Sequence, residues 1–119
     1  MATAVKRKLS GSTDGKAILV VATATPGTLI HTAVAGITAG TYDEIWLWAY
    51  NGYTSDLAVT IEFGGVTVPD QNIVITIPFK QGLVPIVPGF ILQNGMVVGA
   101  FGASASQITI VGFVNSITD

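Results

Sequence analysis

The sequence has no cysteine, which removes disulfide staples, thiolate metal sites and cysteine nucleophiles at once. Charge is nearly as scarce. Asp, Glu, Lys and Arg make up 10% of the 119 residues, against about 25% in an ordinary soluble domain. There is one histidine, His31, and no carboxylate stands near it at ligand spacing, so it reads as a strand residue with a satisfied ring, not a metal ligand. No apolar run reaches the roughly 18 residues of a membrane-crossing helix, and sustained helical periodicity is absent. Phosphate-binding glycine loops, dinucleotide fingerprints and Asn-x-Ser/Thr sequons are also missing. A net charge of −2 argues against a nucleic-acid groove. These absences leave no expected cofactor, metal, nucleic acid or membrane, and little with which an enzyme could activate a nucleophile or a water.

The composition is far from that of a disordered chain, which is polar and charged. Half of the residues are hydrophobic and the mean hydropathy is +0.63. Valine, isoleucine and threonine account for 41 of the 119 residues, and these β-branched types fit a pleated sheet better than a helix. Fourteen glycines and five prolines punctuate the chain at short intervals. Strands are expected over 17–25, 28–35, 43–51, 57–63, 66–68, 72–77, 83–87, 96–101 and 107–114. Pro85 marks residues 83–87 as an edge strand or a bend, with a turn at Pro88-Gly89. The spacing predicts an all-β protein: an antiparallel β-sandwich of about eight principal strands, jelly-roll in type, with a short N-terminal arm.

Charge divides the chain. Residues 1–16 carry a net +3 through Lys6, Arg7, Lys8 and Lys16 against Asp14, while residues 17–119 carry a net −5. Residues 1–16 therefore read as a flexible basic arm and linker, and 17–119 as a single domain. The basic start followed by the apolar 17–24 imitates a secretory leader, but Asp14 and a polar linker separate the two, so no cleaved leader is expected. Lys6-Arg7-Lys8 reads either as an anchor for an acidic partner surface or as a solvated terminus.

Alternation assigns faces, because successive strand residues point to opposite sides. Leu57, Val59, Ile61 and Phe63 share a core face, with Ala58, Thr60 and Glu62 on a wet outer face. Residues 96–101 and 107–114 are apolar on both sides, and a neighbouring subunit is the economical cover. In residues 43–51, Ile45, Leu47 and Ala49 form the core side. Glu44, Trp46, Trp48 and Tyr50 line the other. That row reads as a subunit interface, where Trp and Tyr are enriched, as a sugar-stacking platform joined by Tyr53, or as a face buried under a loop.

The cadence Glu44-Ile45-Trp46-Leu47, Asn51-Gly52, Leu57 to Gly65, Gly82 to Gly89, Gln93-Asn94-Gly95 and Ile108 to Asn115 resembles small all-β structural proteins of tailed bacteriophages. It is most similar to the jelly-roll decoration, or cement, proteins of capsids. The resemblance spans residues 43–117 and rests on strand-and-turn rhythm. It implies a non-enzymatic virion component, made in the host cytoplasm and located on the capsid surface. Such a protein is usually a homotrimer that binds the major capsid protein, stabilises the shell and can present a surface to host glycans. A carbohydrate-binding module and a tail or fibre domain are the competing readings.

Overall fold

The computed structural model describes residues 2–119. They form nine strands and no helix: β1 (Thr3–Lys8), β2 (Ile18–Val20), β3 (Thr28–Thr32), β4 (Tyr42–Asn51), β5 (Leu57–Phe63), β6 (Asn72–Ile77), β7 (Val84–Leu92), β8 (Val97–Gly102) and β9 (Ile108–Thr118). Two antiparallel sheets result. One runs β1-β9-β4-β7, with β2 also pairing β9, and the other runs β3-β8-β5-β6. The chain is an all-β sandwich-like fold, as its composition implies.

The longest ladder joins β4 to β9, from Tyr42↔Ile117 to Asn51↔Ile108. Its inward side chains are those picked out by alternation: Ile45, Leu47 and Ala49 on β4, and Ile108, Ile110 and Val114 on β9. They meet Val59 and Ile61 of β5 and Val98 and Ala100 of β8 in one core. Truncating any of the large ones removes burial and leaves a cavity, typically at about 2–5 kcal/mol. At the end of β4, fully buried Asn51 donates through Nδ2 to the carbonyls of Ile77 (2.8 Å) and Ser55 (3.0 Å). Its Oδ1 accepts the Tyr53 amide at 2.8 Å. One side chain thus links the last residue of β4 to β6 and to the turn between β4 and β5.

Four expectations are corrected. Residues 3–8, expected as part of a flexible arm, form β1, which pairs with β9 from Thr3↔Thr118 to Lys8↔Phe113. All six of its side chains are exposed, so no apolar alternation advertised it. Val66-Thr67-Val68 leads into a turn instead of forming a strand. Pro88-Gly89 does not end β7; the strand continues to Leu92 as an edge, bulged opposite Ile45/Trp46 and Leu47/Trp48. The wet outer face expected for β5 is also dry: Thr60 and Glu62 are buried, and the β2–β3 segment reaches over Glu62. There Glu62 Oε1 accepts the Gly27 amide at 2.6 Å and Oε2 accepts the Thr25 hydroxyl.

Candidate functional site

The outer face of the β1-β9-β4-β7 sheet is built in rungs by strand register. The first rung is polar: Lys6 on β1 stands opposite Asn115 on β9, which stands opposite Glu44 on β4. In the second, Phe113 on β9 faces Trp46 on β4. In the third, Val111 faces Trp48, and in the fourth Thr109 faces Tyr50. All of the β4 and β9 members are half-buried.

Trp46, Trp48 and Phe113 form one aromatic patch. Their ring centroids lie 6.0–6.4 Å apart and their planes agree within 28°. Aromatic pairs at such separations contribute roughly 0.5–1.5 kcal/mol beyond simple burial. The Lys6 ammonium sits 4.4 Å from the Phe113 centroid, within cation–π range. Trp46 can settle against β7 because residue 89 is glycine. A Cβ there would lie 2.7 Å from Trp46 Cζ2, and the backbone φ of +81° suits glycine.

The polar rung is tied to the rings. Glu44 Oε1 accepts the Trp46 indole N–H at 2.8 Å and the Asn115 amide at 3.0 Å. These two donors, Asn115 first, hold the Glu44 carboxyl below its ordinary value, against a weaker opposing effect of burial. An ionised acceptor therefore sits beside three aromatic rings.

The residues singled out from the sequence thus separate. Trp46, Trp48 and Lys6 come together, joined by Phe113 and Asn115, which sequence reasoning did not attach to them. Tyr50 lies on the same face one rung beyond Trp48. Tyr53 packs against the core cluster, away from the rings. Arg7 projects from the side of β1 opposite Lys6, and Lys8 donates to the Ser12 carbonyl at 3.0 Å.

A second polar locus lies between the sheets. His31 Nε2 and Asp43 Oδ2 are 2.7 Å apart, both side chains buried. Asp43 also accepts the Ser116 hydroxyl (2.7 Å) and the Val34 amide (3.1 Å). The Ser10 amide donates to His31 Nδ1 at 3.0 Å, so Nδ1 carries no proton and Nε2–H donates to Asp43. The lone histidine therefore has a carboxylate partner that spacing did not disclose. The arrangement does not activate a nucleophile. The ring nitrogen that would take a serine proton is occupied by a backbone amide, and Ser10 Oγ accepts the Thr32 amide at 2.7 Å. Arg7, Lys8 and Ser116 line the open groove of about 460 Å³ above this pair. Among the described residues, no three His, Asp or Glu side chains cluster as a metal centre would require.

Comparison of the chain with protein-family models, curated proteins and solved structures finds no match.

Proposed function

We propose that the chain is a non-enzymatic structural subunit that forms a homotrimer on the outer surface of a bacteriophage capsid, binding the major capsid protein and stabilising the shell. The observation that carries the assembly reading is the outer face of the β3-β8-β5-β6 sheet. Leu29, Val66, Val74 and Val97 are 43–64% exposed there, and the one carboxylate on that face, Glu62, is covered. A face with four exposed aliphatic side chains and no exposed charge is usually buried by another protein surface, and closed rotational symmetry lets identical copies supply the cover.

The strand order supports a jelly-roll reading. β2-β9-β4-β7 faces β3-β8-β5-β6, the nesting of a rolled antiparallel ribbon, an architecture of viral capsid and lectin domains. The capsid location draws on the strand-and-turn resemblance and on the exposed basic strand β1, whose Lys6, Arg7 and Lys8 suit an acidic partner.

Light scattering on a sizing column across a dilution series tests the assembly. The expected mass is three times the 12.3 kDa of one chain. A monomer at every concentration overturns the trimer. Co-sedimentation with empty capsids of the encoding phage tests location. Binding that weakens in a Lys6→Gln/Arg7→Gln/Lys8→Gln variant is expected. A trimer that never sediments with capsids overturns the decoration role in favour of a tail or fibre position.

A further inference from the structure

We propose that the outer face of the β1-β9-β4-β7 sheet is a binding site for a neutral, extended chain of pyranose sugars, with Trp46 and Trp48 as stacking surfaces and Glu44 and Asn115 as hydrogen-bonding groups. A pyranose ring has an apolar C–H face and an edge of hydroxyls, so its receptor must set flat aromatic surface directly beside polar groups. The rungs of this sheet have that layout: Lys6–Asn115–Glu44 across one rung, Phe113–Trp46 on the next, Trp48 on the third.

The polar members serve hydroxyls in both senses. Glu44 has spent one oxygen on Trp46 and Asn115. Its second oxygen and the Asn115 carbonyl accept from donors, while the Lys6 ammonium, held over Phe113, donates. Shape favours a chain over a single sugar. Trp46, Trp48 and Tyr50 follow one another at every second residue of β4, so their Cα atoms span about 13 Å in a straight row. The Trp46 indole is also rigidly placed: it is anchored at its N–H and backed by β7 at Gly89, so little of its side-chain entropy is lost on binding.

This proposal does not depend on the trimer argument, which uses the opposite sheet, and it shares only Lys6 with the basic strand assigned to capsid binding. Cellohexaose, laminarihexaose, xylohexaose, mannohexaose and chitohexaose, each titrated by calorimetry with tryptophan fluorescence in parallel, form the test. At least one should bind the wild type. Trp48→Ala and Glu44→Gln should each weaken it by about tenfold or more, equivalent to about 1.4 kcal/mol, with circular dichroism and oligomer mass unchanged. Val74→Ala, on the outer face of the opposite sheet, should bind as the wild type. The proposal is overturned if none of the five hexaoses binds, if binding survives Trp48→Ala, or if Trp48→Ala converts an oligomer to a monomer, which would make the face a subunit interface.

Discussion

Two carboxylates on adjacent residues do different work because a strand sends them to opposite sides. Asp43 points inward and accepts three hydrogen bonds, from His31, Val34 and Ser116. Removing it leaves three donors with no partner in a buried setting, where hydrogen bonds to a charged group are worth about 1.5–3 kcal/mol each in isolation and do not add fully. Asp43→Ala should therefore lower stability by about 3 kcal/mol, read as a reduced midpoint in urea unfolding; a midpoint within error of the wild type would show that the network contributes little. Glu44 points outward, and its carboxyl is held below the ordinary 4.5 by Asn115 and Trp46. A carboxyl with a depressed folded-state pKa contributes stability that is fully present above the unfolded value and fades as pH falls through the folded one. Melting temperatures at pH 7 and pH 3 should thus lie further apart in the wild type than in Glu44→Gln; an equal drop would remove this residue from the acid response.

At the scale of strands, β7 determines how β4 presents its aromatics. Pro85 and Pro88 cannot donate to a ladder, which confines the strand to an edge, and its bulge leaves Gly89 beneath Trp46. Gly89→Ala forces a Cβ into the indole and an unfavourable φ. The expected result is a loss of about 1–2 kcal/mol with a shifted tryptophan emission maximum; an unchanged spectrum would mean that the indole rests elsewhere. The inward faces of β4, β5 and β9 were legible in the sequence because period-two alternation is a local property. The edge status of β7 was legible from Pro85. By contrast, Phe113 reaches Trp46 from the far end of the chain, and only the register of β9 on β4 puts Asn115 beside Glu44. Asp43 reaches His31 from the other sheet, and Glu62 is dry only because a loop lies over it. None of these long-range juxtapositions leaves a mark in local pattern. β1 was hidden for a different reason: a strand with every side chain in solvent carries no buried face to alternate.

For the molecule as a whole, β1 is an addition to a four-plus-four arrangement, since β2 already pairs with the other half of β9. Its exposed side chains contribute no core, whereas Leu9, just beyond it, is buried. A chain lacking residues 1–7 should consequently retain its β circular dichroism and unfold cooperatively, while losing the Lys6 contact to Phe113. Collapse of the dichroism would show that β1 is needed to close the sheet.

The strand order also leaves β6, Asn-Ile-Val-Ile-Thr-Ile, on an edge. It has no charge or proline within it, and Val74 is well exposed. Sequences of this kind can template further strands and grow fibrils, with only Pro69, Asp70, Pro78 and Lys80 at its flanks to act as gatekeepers. Heating should accordingly end in irreversible, thioflavin-positive aggregate, and Val74→Lys should delay that end point. For a protein of this composition, resistance to aggregation depends on keeping one short edge from pairing with another chain.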